Sequence, residues 1–314
     1  MIRQPQRQAA GTAMSRRLPA PVDGWNARDS YATLGPNFAI FLDNLFPYQG
    51  GCMLRKGASI FATLTNASEV LRTLITYTPQ TGVHRLFAAG AAGIYEVGAG
   101  GSIGAAATSC TNAAWQYENI VNFAGTSYLW LANGVDKCKL FDGTTWTNLD
   151  TTSTPALTGI TSTDIIYPMA YKGRLYLLTK NSISFYYLPV GAIAGLATKF
   201  PMDGIFSKGG YVMAIDSWTV DGGNGPDDYF VVVTSEGEVA VFQGYDPANA
   251  STWGLVGLYT TAAPIGRRCL IKLGNELILL TNSGIVPLSK LLQKGDFSSN
   301  ERITDTIYQA FQSY

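Results

Sequence analysis

The sequence predicts an all-β fold: a β-propeller, counted as six blades, with an extended N-terminal arm and a C-terminal amphipathic helix. Three observations carry this prediction. Five segments share one phrase, a short apolar strand, a glycine turn, a second apolar strand, a turn and a third strand; they span 73–97, 120–143, 168–188, 213–244 and 268–288. Their middle strands align on Leu86, Leu129, Leu175, Phe230 and Leu277, which lie 43, 46, 55 and 47 residues apart. A multi-strand repeat of roughly 40–50 residues is the period of a propeller blade. The turns between strands also carry the right chemistry, as in Lys172-Gly173, Ser235-Glu236-Gly237, Leu273-Gly274-Asn275 and Asn282-Ser283-Gly284.

At 314 residues the chain is long for one hydrophobic core. A propeller avoids that limit by stacking many small cores between blades. Apolar residues make up 46% and charged residues 14%, which is too hydrophobic for disorder. So little charge fits an exterior covered by partners, and equally a neutral surface rich in Ser, Thr, Asn and Gln. Twenty-two basic residues cancel 22 acidic ones, so electrostatics lend no support to tight nucleic-acid or membrane-surface binding.

Residues 1–22 read as an arm whose only charges are Arg3, Arg7, Arg16 and Arg17. Such a stretch buries too little apolar area to offset its ordering entropy. Four arginines without an acid suit DNA or an acidic subunit surface, or are the solvated charges of a frayed terminus. Residues 23–298 are assigned to the propeller. Within them, Cys52–Arg55 and Ser59–Leu64 are expected as strands that supply the sixth blade and pair with the last one; the alternatives are a ring of blades left incomplete or one completed by another polypeptide. The Gly- and Ala-rich run 98–107 and the Thr-rich run 151–163 are expected as surface loops. Asp142-Gly143-Thr144-Thr145-Trp146 reads as a hairpin turn into an outer strand. Residues 299–314 read as a helix with Ile303, Ile307, Ala310 and Phe311 on one stripe. That stripe packs on the last blade or docks on another subunit.

The residue inventory argues against an enzyme and offers no cofactor site. His84 is the single histidine, at the start of a strand, without a neighbouring acid or nucleophile. Cys52, Cys110, Cys138 and Cys269 are far apart and form no CxxC pair, so they are expected as reduced thiols rather than zinc ligands. The glycine-rich 98–104 lacks the Gly-Lys-Ser/Thr ending of a phosphate loop. Asp221, Asn224, Asp227 and Asp228 in a Gly-rich turn could offer oxygen ligands to calcium, although such residues are also the ordinary makers of long turns. No apolar run is long enough for a membrane helix, and the N-terminus carries no signal-peptide core, so folding in a cytoplasm is expected.

Two further stretches carry a resemblance. One is Asn44-Leu45-Phe46-Pro47, Gly50-Gly51 and Arg55-Lys56-Gly57. The other is Pro264-Ile265-Gly266-Arg267-Arg268 followed by the run from Leu277 to Leu288. With the repeats between them, they resemble the tail hub, nozzle or DNA-stabilisation proteins of short-tailed bacteriophages. That resemblance implies a homo-oligomeric ring, commonly a hexamer, in the virion tail, assembled in the host cytoplasm. The ring would lie below the portal and adaptor, extend the DNA channel, help retain packaged DNA and mount fibres or spikes. No catalytic residue comes with it. DNA would pass without sequence-specific binding, and Arg3, Arg7, Arg16, Arg17, Ile303, Ile307 and Phe311 become the candidate assembly contacts. Similar proteins often continue with more β-structure after such a helix. A receptor- or glycan-binding propeller is the alternative, with Trp130, Trp146, Trp218 and Trp253 as sugar-stacking candidates; a propeller hydrolase is the third reading.

Overall fold

The fold was analysed in a computed structural model, which describes residues 19–64, 69–221, 226–294, 302–307 and 309. The chain divides into two compact units, 1–58 with 306–314, and 59–305. This differs from the expected boundaries: residues 23–58 are not part of the propeller.

In the smaller unit, β1 (Gly24–Trp25) pairs in parallel with β2 (Phe38–Ala39), and β3 (Leu45–Tyr48) forms a hairpin with β4 (Gly51–Leu54). Asn44 enters the hairpin at φ +56°, a left-handed value that Asn tolerates better than most residues. Of the two strands expected between residues 52 and 64, the first is therefore present, but Ser59–Leu64 is not a strand.

The larger unit is the propeller. Its first sheet runs β5 (Thr73–Tyr77), β6 (Arg85–Ala89), β7 (Gly93–Val97) and β8 (Ile103–Ser109). The second runs β9 (Gln116–Val121), β10 (Ser127–Ala132), β11 (Lys139–Phe141) and β12 (Trp146–Asn148). A short β13 (Leu157–Thr158) precedes the third sheet and pairs in parallel with β17 below. The third sheet comprises β14 (Ile165–Tyr171), β15 (Arg174–Thr179), β16 (Phe185–Tyr187) and, after β17 (Gly195–Leu196), β18 (Thr198–Phe200). The fourth comprises β19 (Val212–Asp221), β20 (Pro226–Thr234), β21 (Glu238–Gly244) and β22 (Trp253–Thr260). The last has three strands, β23 (Leu270–Leu273), β24 (Glu276–Thr281) and β25 (Gly284–Pro287), followed by helix α1 (Leu288–Lys294).

Each aligned anchor falls on the second strand of a sheet, and the reason is packing. Leu129 and Leu131 face the first sheet's Phe87 and Ile94, while Trp130 on the opposite face meets Leu175 and Leu177 of the third. Tyr176 and Leu178 then meet Phe230 and Val232, and Val231 and Val233 meet Leu277 and Leu279. A strand buried on both faces must be apolar at every position, which produces the unbroken apolar runs seen in the sequence. The tight β14–β15 turn places Lys172 at φ +47° and Gly173 at φ +73°, the paired left-handed geometry of a two-residue hairpin.

Several expectations are corrected here. Among the described residues the propeller has five blade sheets, with the β13–β17 pair beside them, rather than a sixth blade from the 45–54 hairpin, which pairs only with itself. The last sheet's outer edge is instead met by the chain near its end: Ile303 N–H donates to Ile285 O at 3.0 Å, and Ile285 N–H donates to Thr304 Oγ1 at 3.0 Å. Those bonds hold 303–304 as a turn, and a 3-10 turn follows at Asp305–Ile307, so the helix expected from residue 299 does not occupy 302–307; Gln309 is helical, and 299–301, Phe311 and the remaining end lie outside the described residues. The helix that the sequence concealed is α1, whose Leu288 and Leu291 complete the apolar cluster between the fourth and fifth sheets. The Gly/Ala run 98–107 is not all loop: it enters β8. Small residues are needed there, since a Cβ on Gly93 would lie 2.6 Å from the Ala106 Cβ. Arg3, Arg7, Arg16 and Arg17 lie outside the described residues.

Candidate functional site at the propeller axis

The first strands of the sheets carry polar and charged side chains that converge across blade boundaries. Glu118 on β9 is half-buried and accepts a hydrogen bond from the Ala170 N–H on β14. Its carboxyl lies close enough to Asp216 on β19 and Lys272 on β23 to feel both charges. Lys272 Nζ lies 2.8 Å from Asp216 Oδ1 and donates to Ser217 Oγ at 2.8 Å. The Ser217 N–H donates to the same Asp216 oxygen at 2.7 Å. Burial foremost, and then the negative charge of Asp216, push the Glu118 carboxyl up to about 7; Lys272 and the Ala170 N–H pull the other way. Tyr167, on β14, is raised well above its ordinary value by burial and by the same two carboxylates.

Arg268 links the last sheet to the first two. Its guanidinium donates to Arg72 O at 3.2 Å, Thr73 Oγ1 at 2.7 Å and Trp115 O at 2.8 Å. The four other sheet-to-sheet junctions hold apolar clusters besides their polar contacts, whereas among the described residues this one forms no such cluster. A cleft of about 240 Å³ opens beside it, lined by Thr73, Leu74, Trp115, Gln116, Tyr117 and Arg268. Between the first and second sheets, Asn119 accepts from the Thr78 N–H at 3.1 Å and donates to Thr76 O at 2.9 Å.

Chemically, the axis offers one carboxyl able to exchange a proton near neutrality, and one carboxylate held in an ion pair. Its thiol is inert: burial pushes Cys269 up to about 12, leaving almost no thiolate. Among the described residues no three His, Cys, Asp or Glu side chains are grouped to hold a metal ion. Cys52 is half-buried, and Cys110, Cys138 and Cys269 are buried free thiols.

A second use of carboxylates recurs at the sheet rims, bracing the chain as it enters a blade. Asp136 accepts from the Thr111 and Asn112 N–H groups, the Thr111 hydroxyl and Asn133 Nδ2. Glu238 accepts from the Ser207 and Lys208 N–H groups and the Ser207 hydroxyl. These bonds hold both carboxyls below the usual range despite opposing burial.

The sequence-derived candidates fare differently. Asp221 ends β19, and Asp227 and Asp228 are the second and third residues of β20 rather than loop residues. Asp228 is already engaged, 2.6 Å from Lys172 Nζ and accepting from the Thr219 hydroxyl at 2.7 Å; Asn224 lies outside the described residues. Trp130, Trp218 and Trp253 are buried in blade cores, and Trp146 stacks on Phe141, so these four do not form a sugar-stacking rim. Ile303 is exposed and Ile307 half-buried. The sequence reading passed over Glu118, Asp216, Lys272 and Arg268. For the first three the signal is a charge inside an otherwise apolar or neutral stretch of a first strand, in QYENIV, AIDSW and LIKL; Arg268 lies before its strand and carries no such signal.

No protein-family model and no curated protein matches the sequence. Solved structures with similar backbones include BBS1N in its complex with ARL6DN, at 15% identity and TM-score 0.44 over 70% of this chain and 64% of that one. A candidate 6-phosphogluconolactonase of Bacteroides uniformis aligns at 16% identity and TM-score 0.40, over 65% of this chain and 63% of that one. The extracellular domain of BT4673 from B. thetaiotaomicron aligns at 14% identity and TM-score 0.33, over 73% of this chain and 33% of that one. The chain thus spans less than two-thirds of the length of these proteins.

Proposed function

We propose that the chain is a structural assembly subunit, working through shape and docking rather than bond-making, and that its place is a homo-oligomeric ring in a bacteriophage tail. One observation carries the assembly reading. Within residues 19–58, the side chains of Tyr31, Phe41, Phe46, Tyr48, Met53 and Leu54 are all at least half exposed. Of these, Phe46, Tyr48 and Met53 share one face of the β3–β4 hairpin, and exposed apolar surface on a small unit favours coverage by another protein surface. The axis supports the same view, because Lys272, Asp216, Ser217 and Arg268 use their polar groups to tie blades to one another.

The tail assignment rests on the resemblance, which includes the 44–57 hairpin and the last sheet. A near-neutral subunit suits a conduit, since a wall that neutralised many phosphates would grip DNA. The hydrolase reading draws on one observation, the Glu118 carboxyl with proton affinity near neutrality beside Asp216. A broad hydrolase screen of the wild type against Glu118→Gln decides between the two, with no Glu118-dependent turnover expected. The tail reading is tested by following the protein through particle purification and imaging those particles. Removal of residues 1–20 or of 299–314 is expected to leave the propeller folded and to reduce incorporation. Normal incorporation of both truncations counts against it.

A further inference from the structure

Two strand edges differ from every other outer edge among the described residues. The first is β4. The Arg55 N–H donates to Asn44 O, which sets the hairpin's bonding phase, so the Leu45–Leu54 and Pro47–Cys52 pairs turn their backbone groups outward. On the β3 side this leaves Pro47 without a donor, and a proline blunts that edge. On the β4 side, Cys52 and Leu54 present complete N–H and C=O pairs. No charged residue occurs from Asn44 to Leu54, and the face carrying Phe46, Tyr48 and Met53 is about half exposed. A lone two-stranded hairpin is marginal in water and gains from a third strand.

The second edge is β22, the outer strand of the fourth sheet. It is eight residues long, has neither charge nor proline, and exposes Leu255, Val256 and Leu258 by 46%, 50% and 40%. The outer strands β12 and β18 are three residues long, and β18 carries Lys199. The β25 edge is met by Ile303 and Thr304, and β8 offers mainly Gly and Ala. Tyr259 packs with Leu288 and Leu291, so the free stretch of β22 is Gly254–Leu258. It is one residue longer than the four of β4; Leu255 and Gly257 pair with the consecutive Phe242 and Val241, so Val256 is bulged and four ladder positions remain.

We propose that β4 of one copy adds to β22 of a second copy, so that the hairpin extends the neighbour's fourth sheet. The inference rests on the assembly reading and names its contact. Donor and acceptor are different surfaces of the same chain, so the contact is head-to-tail and propagates into a ring or filament. The main chain supplies the bonds, as in other strand-addition interfaces, and the side chains supply the apolar burial. From the exposed fractions, Phe46, Tyr48, Met53 and Leu54 offer roughly 500 Å²; Tyr245, Leu255, Val256 and Leu258 offer roughly 400 Å². The sum, roughly 900 Å² with every one of these surfaces covered, is an upper limit that reaches the apolar share of an interface of about 1,600 Å².

The test mixes two differently tagged full-length chains in a Cys52→Ser background. One carries Met53→Cys; the other carries a single cysteine scanned through positions 254–258. Oxidation is expected to yield a covalent heterodimer at one or two adjacent positions. Leu54→Lys and Leu255→Lys are each expected to weaken self-association by at least about tenfold in sedimentation, from an uncompensated charge at the edge, while the propeller's thermal transition stays in place. Three results overturn the proposal: a chain that remains monomeric, an oligomer indifferent to both lysines, or a cross-link that forms only within one chain. A wild type that assembles through this contact but never enters particles removes the tail reading alone. A Leu255→Lys chain that enters particles normally removes the interface alone.

Discussion

Replacing Glu118 by Gln should flatten the propeller's stability against pH across the neutral range. In the folded chain the Glu118 carboxyl is raised from an ordinary 4.5 to about 7. The unfolded chain therefore ionises first. The group's contribution is full below about pH 4.5 and is lost as pH rises through about 7. At about 1.4 kcal/mol per unit the complete loss is about 3 kcal/mol, of which about 2.5 falls between pH 5 and 8.5. For a unit of this size that corresponds to roughly 5–10 °C in Tm. The groups facing the carboxyl are Asp216, Lys272, Tyr167 and the Ala170 N–H. Gln keeps the shape of the protonated acid and cannot ionise. Calorimetry at closely spaced pH values should show the wild-type Tm falling through this window while Glu118→Gln stays nearly level, with the two closest at pH 5. Wild-type and variant curves that run parallel would refute the burial argument.

Arg268→Ala removes three bonds at the junction where the described residues form no apolar cluster, and should speed amide exchange at the start of β5 roughly 30- to 100-fold, equivalent to about 2–3 kcal/mol of local stability; unchanged exchange there would mean that the tie is redundant. Asp136→Asn should destabilise by about 1.5–3 kcal/mol at pH 7, because an acceptor-only carboxylate serving several donors becomes an amide. Since the Asp136 pKa is depressed, that deficit should shrink as pH falls below the ordinary carboxylate range, which urea midpoints at pH 7 and pH 3 would reveal. Leu177→Ala, at a fully buried position between the second and third sheets, should cost about 2–5 kcal/mol. Leu255→Ala on the exposed edge should stay within about 0.5 kcal/mol, and equal costs in guanidinium melts would contradict the blade assignment.

What could be read from the sequence follows from burial on two faces. Leu129, Leu175 and Phe230 sit in runs with no polar alternation because sheets press on both sides of their strands, Leu277 in a run packed against the fourth sheet, and the spacing of those runs reports the repeat directly. The Lys172-Gly173 turn was legible for a local reason, since φ and ψ there depend on two residues alone. The axis was not legible. Glu118 and Asp216 lie 98 residues apart in sequence and Asp216 and Lys272 lie 56 apart, and only the convergence of first strands turns three isolated charges into one electrostatic unit with a displaced proton affinity. The same holds at the chain's end. Ile303 and Ile307 share a helical stripe by spacing, yet Ile303 spends its N–H on the open edge of β25, a long-range partner that a local pattern does not contain. Sequence determined the repeat, the strands and the tight turns, which depend on near neighbours and on burial at every position. The tertiary structure decided the blade count, the polar closure by Arg268 and the edges left without a partner, because each depends on which distant strands meet.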